Sequence, residues 1–254
     1  MTDDKRLWPI YRGDEIDTLA DPTWLVDGHL TDGLTVVYGP SGSGKTFLAL
    51  AWALALATGM EWHGSAVKHT PVVYVSGEGQ SGIRKRRRAW MQHNDARDTD
   101  WFALIPDAVA MLDPDHVAAL EADVVANHAG LLVIDTLARS MRGGDENSSG
   151  DVGAFIAGCD RIRQRGCAVV LVHHSGHEGG RERGSSALRA AADTSVEVAG
   201  DDKYVNVICR KQKDAAPFPR SSWALREVAG SCVLAPSLVP PKRRVDSNGP
   251  EDVM

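Results

Sequence analysis

The chain has 254 residues, of which 43% are hydrophobic and 24% are charged, and this composition is typical of a globular protein with one large core or two small ones. Its formal net charge of −6 is mild and excludes a protein that binds nucleic acid through overall positive charge alone. The four cysteines lack the C-x-x-C spacing of zinc and redox sites, so the sequence predicts free thiols in a reducing compartment.

The sequence contains no segment that predicts an export signal or a membrane span. Its first residues, MTDDKRLWPIY, begin acidic and lack the apolar core of a signal peptide. The longest apolar run, FLALAWALALA (47–57), is well short of the roughly 18 residues that a membrane span needs. We therefore expect a cytoplasmic protein with no membrane partner, in which this run forms a buried helix.

Short apolar runs alternate with helical segments along most of the chain. The predicted strands are LTVVY (34–38), VVYVS (72–76), WFALI (101–105), LLVID (131–135) and AVVLVHH (168–174). The predicted helices are FLALAWALALA (47–57), an arginine-rich segment around IRKRRRAW (83–90), PDHVAALEADVVANHA (114–129) and residues 152–165. This alternation predicts an α/β fold with a mostly parallel twisted sheet flanked by helices.

The pattern changes near residue 194. There, SVEVAGDDKYVNVIC contains two strand-like runs joined by a Gly-Asp-Asp turn, which predicts antiparallel C-terminal strands. Residues 236–254 are poor in apolar side chains and rich in Pro, Gly and charge, so we expect a disordered tail. The expected organisation is an N-terminal segment (1–28), one core (29–235) and this tail.

The strongest chemical motif is GPSGSGKT (39–46), which fits the pattern G-x-x-x-x-G-K-[ST] between a predicted strand and a predicted helix. Its glycines allow backbone amides and a helix N-terminus to converge on phosphate oxygens. In such a loop Lys45 neutralises the β and γ phosphates, and the Thr46 hydroxyl binds magnesium. The motif therefore predicts a site for ATP and Mg²⁺. The predicted nucleotide-binding residues are Gly39, Pro40, Ser41, Gly42, Ser43, Gly44, Lys45 and Thr46.

Two carboxylates complete the predicted catalytic site. Asp135 ends a predicted buried strand and, paired with a phosphate loop, is expected to hold magnesium through water. Glu78 follows VVYVS at the edge of the sheet where ligands bind, and it is expected to orient and deprotonate the attacking water. The alternatives are a turn or cap aspartate and a solvated loop glutamate.

The order of these motifs resembles a known family. GPSGSGKT, VVYVSGEG, LLVIDT, VVLVHHSG, RGSSALRAAADTSVEV and KQKDAAPF together resemble the ATPase core of RecA and of the hexameric DnaB-like and RepA-like replicative helicases, the last often carried by plasmids and phages. The resemblance covers roughly residues 25–228. The part from LLVIDT to RGSS is most similar to RepA-like proteins, whereas KQKDAAPF is similar to RecA itself.

The resemblance implies that basic residues act across a subunit interface. Lys211 and Lys213 match a lysine pair that reaches the γ phosphate of the neighbouring subunit, and Arg183 of RGSS matches an arginine with a similar part in RepA-like rings. Positive charge on the transferring phosphoryl group stabilises its transition state. The alternative for the lysine pair is a solvated strand edge, on which lysine discourages aggregation.

The resemblance also implies a phosphate sensor and two DNA-binding loops. His174 matches the position that senses the γ phosphate, although a metal site formed with His173 and His177 is an alternative. The Gly-rich loops 139–151 and 175–186 correspond to loops that line the DNA path. The candidate DNA contacts in these loops are Arg139, Arg142, Arg181 and Arg183.

These observations predict a RecA-like, Mg-ATP-dependent ATPase that binds DNA, which we expect to be single-stranded. The favoured assembly is a hexameric helicase ring, with a filament as the alternative, and the N-terminal segment would pack on a neighbouring subunit. A second hypothesis is a recombination or assembly ATPase that binds DNA without unwinding it. A third is a DNA nuclease, although the sequence contains no compact two-metal carboxylate cluster outside the ATP site.

Overall fold

The computed structural model describes residues 9–77, 80–174 and 186–237. A 3₁₀ helix at Gly13–Thr18 precedes the regular elements in this part of the chain. The strands are β1 (Trp24–Val26), β2 (Leu30–Thr31), β3 (Leu34–Gly39), β4 (Val72–Ser76), β5 (Phe102–Ile105), β6 (Leu131–Asp135), β7 (Ala168–His174), β8 (Thr194–Gly200), β9 (Tyr204–Gln212), β10 (Ser221–Val228) and β11 (Ser231–Pro236). The helices are α1 (Lys45–Thr58), α2 (Gln80–His93), α3 (Pro114–Ala126), α4 (Leu137–Ser140), α5 (Ser149–Arg163) and α6 (Ser186–Ala191).

Nine of the described strands form one sheet, in the order β11-β10-β9-β8-β3-β7-β6-β4-β5. The strands from β8 to β5 pair in parallel, and β9, β10 and β11 extend the sheet by antiparallel pairing. This confirms the predicted α/β fold with a mostly parallel sheet and antiparallel C-terminal strands. Because β3 lies inside the parallel part of the sheet, the loop that follows it is placed at the carboxyl edge between neighbouring strand ends.

Helices cover both faces of the parallel strands, which explains why the strands are almost continuously apolar. Helices α1 and α2 pack on one face, where Trp52 and Tyr74 are fully buried. Helices α3 and α5 pack on the other face, around Leu120 and Phe155. No helix in the described ranges is long and apolar enough to cross a membrane.

Local chemistry sets the helix boundaries. Helix α1 ends at Thr58 because the next residue, Gly59, has a φ of 69°, in the left-handed region that glycine adopts readily. The predicted end of α3 at residue 129 is wrong, because the helix stops at Ala126 and His128 takes a φ of 50°. Helix α5 begins at Ser149, before the predicted residue 152, because the Ser148 side chain accepts a hydrogen bond from the Asp151 amide and caps the helix.

Candidate nucleotide-binding site

The glycine-rich loop joins the end of β3 to the start of α1, as the motif predicts. Gly42 and Gly44 have φ values of 76° and 99°, which a residue with a side chain rarely adopts. A Cβ atom at Gly44 would also lie 2.5 Å from Cγ2 of Val205 in β9. Glycine is therefore required at position 44 both by the backbone turn and by the close approach of β9.

Lys45 points back into its own loop. Its side chain is buried, and Nζ donates hydrogen bonds to the carbonyl oxygens of Gly39 at 2.9 Å and Pro40 at 2.7 Å. The ammonium group is thus held inside the concavity of the loop, where phosphate oxygens would meet it. This places Lys45 where a phosphate-binding lysine must be.

The loop also contains a buried polar atom that suits a ligand. Ser43 is 2% exposed, and its Oγ has no hydrogen-bond partner among the described residues. A buried hydroxyl without a partner costs free energy, and a bound phosphate oxygen would satisfy it. The loop therefore fits the phosphates of a nucleoside triphosphate by its backbone conformation, by its lysine and by this hydroxyl.

Asp135 is the last residue of β6, and β7 lies between β6 and β3. Its carboxylate is buried, and Oδ2 accepts a hydrogen bond of 2.7 Å from the hydroxyl of Tyr74. Burial, followed by the adjacent charge and hydrogen bond of Asp135, raises the pKa of Tyr74 well above its ordinary value. The phenol therefore stays protonated and acts as a donor to the carboxylate.

The donor set of this edge fits magnesium. Mg²⁺ prefers hard oxygen ligands and is usually held by one or two carboxylates or hydroxyls together with substrate phosphates and water. Thr46, in the first turn of α1, supplies a hydroxyl, and Asp135 supplies a carboxylate. These two residues are the ones that would hold the ion.

The end of β7 also lies at this edge of the sheet. His174 is the last residue of β7 and pairs with Gly39, the first residue of the loop. The preceding residue, His173, is buried, and its Nδ1 lies 3.9 Å from Oε2 of Glu146 in the loop after α4. The strand that carries the predicted phosphate sensor therefore contacts one of the two predicted DNA loops.

The lysine pair lies toward the opposite edge of the sheet. Ser195 pairs with Lys211 on one side and with Val36 on the other, and Gly39 is three residues further along β3, a rise of about 10 Å. The ammonium group of Lys211 turns away from Gly39 and donates to the carbonyl of Ala192 at 2.5 Å, and to those of Arg189 and Ala190 at 3.3 Å. Lys211 thus caps the C-terminal end of α6.

Lys213 is even further from the loop of its own subunit. Its amide donates to the carbonyl of Asp193, the residue that precedes β8, and its Nζ lies 3.7 Å from Oδ1 of the same residue. The Lys213 side chain is 60% exposed, so this ion pair is accessible to solvent. Neither lysine is placed to contact a nucleotide in the loop of its own chain.

Two of the predicted DNA-contacting arginines lie after Asp135. Arg139 is exposed but belongs to the short helix α4, so its predicted position in a loop is wrong. Arg142 lies in the loop, and its Nη2 donates to Oδ1 of Asp107 at 2.9 Å. Three further predicted site residues lie outside the described residues: Glu78, Arg181 and Arg183.

The alternative metal site at the histidines finds no support in the described residues. Within residues 9–77, 80–174 and 186–237, no group of three His, Cys, Asp or Glu side chains could hold an ion. The four cysteines are free, as the sequence predicts. His177, which belonged to this hypothesis, lies outside the described residues.

Sequence reasoning missed the contact between Tyr74 and Asp135. A signal for it exists, because a tyrosine inside a strand that is buried along its whole length must find a partner for its hydroxyl. The pattern could indicate that Tyr74 had a polar partner, but not which one. It also gave no indication that Lys211 binds the end of a helix in its own chain.

A glycine-rich loop between a parallel strand and a helix, with its lysine turned into the loop, is the arrangement that defines the P-loop ATPases. The family comparison agrees: residues 10–180 match the AAA domain family, and because this match covers more than half of the chain, the protein belongs to that family. No curated protein matches the chain.

Proposed function

We propose that this P-loop ATPase is a DNA-dependent motor of RepA-like type, which hydrolyses Mg-ATP as a hexameric ring and separates DNA strands in replication or recombination. The observation that carries this proposal is the separation of the lysine pair from the loop of its own subunit. Lys45 lies at the carboxyl edge of the sheet, whereas Lys211 and Lys213 lie toward the amino edge.

This separation favours a shared active site. A lysine side chain extends about 6 Å from its Cα, less than the rise of about 10 Å along β3 that separates the level of Lys211 from Gly39. If the lysine pair acts on a γ phosphate, that phosphate must belong to another copy of the chain. In a ring or filament, the amino edge of one subunit would face the carboxyl edge of the next.

The proposed reaction is attack of water on the γ phosphorus of ATP, which breaks the bond to the β–γ bridging oxygen and releases ADP and inorganic phosphate. The loop amides and Lys45 bind the phosphates, and Glu78 orients and deprotonates the water. Bound magnesium would neutralise charge on the β and γ phosphates. The neighbouring subunit's cations, which include Lys211, Lys213 and Arg183, would stabilise charge in the transition state, so that an isolated subunit hydrolyses ATP poorly.

The contact between β7 and the loop after α4 supports DNA-dependent hydrolysis. His174 is the neighbour of His173 in β7, and His173 contacts Glu146 in the loop that carries Arg142. A movement of His174 when the γ phosphate leaves would therefore be transmitted to this loop. DNA bound to the loop would influence the ATP site by the same contact, because coupling between two sites is reciprocal.

The test is the steady-state rate of ATP hydrolysis with and without single-stranded DNA, over a range of protein concentrations, followed by strand separation on a forked duplex. We expect the rate per subunit to rise with concentration and with DNA, and Lys45→Ala to abolish both responses. Good turnover that is independent of DNA would contradict a DNA motor. ATP-dependent DNA binding without strand separation would instead favour the assembly ATPase.

A further inference from the structure

Tyr74 makes a polar contact that the packing of the core does not require. The residue lies in β4, is fully buried, and has a ring centroid 5.9 Å from that of Phe102. For packing alone, phenylalanine would fill the same space. The hydroxyl is useful only because it reaches a polar partner, and that partner is Oδ2 of Asp135, 61 residues away in sequence.

The register of the sheet explains how the two groups meet. Tyr74 pairs with Val133 and Ser76 pairs with Asp135 in the neighbouring strands β4 and β6. Because side chains alternate between faces, Tyr74 and Asp135 lie on the same face of the sheet, the one that α1 covers. The long tyrosine side chain can therefore span two residues along the strand and end at the carboxylate.

Helix α2 supports the same arrangement. Its Arg86 lies over the ring of Phe47, 4.8 Å from the centroid, and Phe47 directly follows Thr46 in α1. The charge of Arg86 also acts on the phenol of Tyr74. Tyr74 thus contacts one predicted magnesium-binding residue, Asp135, directly, and the same Arg86 packs on Phe47, the residue that follows Thr46 in α1.

We propose that Tyr74 is a positioning residue of the ATP site: its hydroxyl fixes the orientation of the Asp135 carboxylate and so raises the affinity of the nucleotide-bound site for magnesium. A hydrogen bond at one carboxylate oxygen removes rotation about the last side-chain bond and thereby sets the direction of the other oxygen. This inference rests on the proposed ATPase function.

The experiment compares Tyr74→Phe with the wild-type protein in the binding of a fluorescent ATP analogue, first in EDTA and then with increasing Mg²⁺. We expect unchanged affinity in EDTA, and an increase of about tenfold in the Mg²⁺ concentration that gives half of the full effect. In ATP hydrolysis, the same shift should appear in the Mg²⁺ dependence. Thr35→Val is the matched control, because it removes a buried hydroxyl of β3 that has no partner among the described residues.

The outcomes separate the positioning role from a structural one. An unchanged Mg²⁺ dependence in Tyr74→Phe would overturn the proposal, and so would an equal loss of affinity with and without Mg²⁺. In an Asp135→Asn background, Tyr74→Phe should have no further effect on Mg²⁺ dependence. If the wild-type protein binds no nucleotide at all, the ATPase function itself fails, and that result is distinct from each of these.

A second measurement keeps the proposal testable if Tyr74→Phe does not fold. The chain has four tyrosines, so labelling with 3-fluorotyrosine gives a simple ¹⁹F spectrum, which can be assigned by replacing the other three. We expect the Tyr74 resonance to shift when Mg²⁺ is added to the nucleotide-bound protein. A resonance that responds to nucleotide but not to Mg²⁺ would contradict the positioning role.

Discussion

The ammonium group of Lys211 donates a hydrogen bond of 2.5 Å to the carbonyl oxygen of Ala192, just beyond the last turn of α6. A lysine at this place stabilises the helix end, because it satisfies carbonyls that have no partner within the helix. The same lysine is proposed to act on a neighbouring subunit's nucleotide. The two roles predict different behaviour when subunits are mixed.

We expect Lys211→Ala to retain ATP binding and to lose turnover by about 100-fold or more, because a cation supplied by a neighbour acts on the transition state. Mixing Lys211→Ala subunits with Lys45→Ala subunits should partly restore hydrolysis, since each variant supplies what the other lacks. ATP hydrolysis measured against the mixing ratio is the test.

The control for this prediction is Lys68→Ala, which removes an exposed lysine and should leave turnover unchanged. If α6 were merely destabilised by the loss of its cap, a neighbouring subunit could not repair it. The absence of any recovery on mixing would therefore assign Lys211 to its own helix alone.

Gly200 should affect the ATP site although it lies outside the phosphate-binding motif. A Cβ atom at this position would lie 2.5 Å from the carbonyl oxygen of Tyr204 and 2.8 Å from that of Ser43 in the loop. Because both are backbone atoms, alanine forces the turn between β8 and β9 away from the loop. We expect Gly200→Ala to lower turnover by about 100-fold through displacement of the loop, as measured by steady-state hydrolysis.

A second glycine serves as the matched control. Gly153 lies on the exposed side of α5, and a Cβ atom there would have no neighbour within 4 Å. Gly153→Ala should stabilise the protein by about 1 kcal/mol, because alanine has the higher helix propensity, and should not change turnover. Normal hydrolysis by Gly200→Ala would show that the β8–β9 turn does not position the loop.

Much of the fold follows from local pattern. Strands such as β6 are apolar at every position before Asp135 because helices cover both faces of the sheet. The motif GPSGSGKT is typical of a phosphate-binding loop between a strand and a helix, so it predicts the elements on either side of it. The alternation of these elements was enough to predict a parallel sheet. The order of its strands was not predicted, since it depends on how the connections cross the sheet.

The contacts of individual site residues could not be predicted, for physical reasons. The bond between Tyr74 and Asp135 depends on the register of β4 against β6, and strand register is not encoded in either strand alone. The contact between Lys211 and Ala192 depends on where α6 ends relative to β9. The end of α3 at Ala126 was missed because the helical spacing of the sequence continues past Ala126. The helix ends there because His128 has a left-handed backbone, which the spacing does not reveal.

Arg139 should contribute to binding of single-stranded DNA. It is exposed on α4, and a Cβ atom at Gly77 would lie 2.7 Å from its Cβ, so the backbone before Glu78 approaches it closely. We expect Arg139→Ala to weaken binding and to reduce the dependence of log K on log salt by about one, as for the loss of one phosphate contact. Fluorescence anisotropy at several salt concentrations measures both quantities.

Arg226→Ala is the control for the DNA experiment, because Arg226 is exposed on β10, in the antiparallel part of the sheet. It should leave both the affinity and the salt dependence unchanged. Equal effects of the two substitutions would indicate that the contribution of Arg139 is only one of overall charge.

The protein should lose stability at mildly acidic pH because of His63. Its ring packs against Trp223, with centroids 4.2 Å apart, and next to Trp62 at 5.3 Å. His63 is exposed overall, but partial desolvation of its ring against these tryptophans, with a smaller contribution from the charge of His93, lowers the pKa of His63 from 6.5 to about 4. As the pH falls, the unfolded chain therefore takes up a proton on this residue before the folded protein does. The contribution of His63 to the free energy of unfolding is fully present above pH 6.5 and is lost as the pH falls toward 4.

His63→Asn tests this assignment, because His63 has a φ of 51° and asparagine tolerates that left-handed backbone without titrating. We expect the melting temperature of the variant to fall less than that of the wild-type protein between pH 6.5 and 4. His128→Asn is the matched control, since His128 also has a φ of 50° and is exposed, but no aromatic ring of the described residues packs against it as Trp223 packs against His63. If both variants lose stability with pH as steeply as the wild-type protein, the acid sensitivity arises elsewhere, and His29, whose pKa burial also lowers, is the next residue to replace.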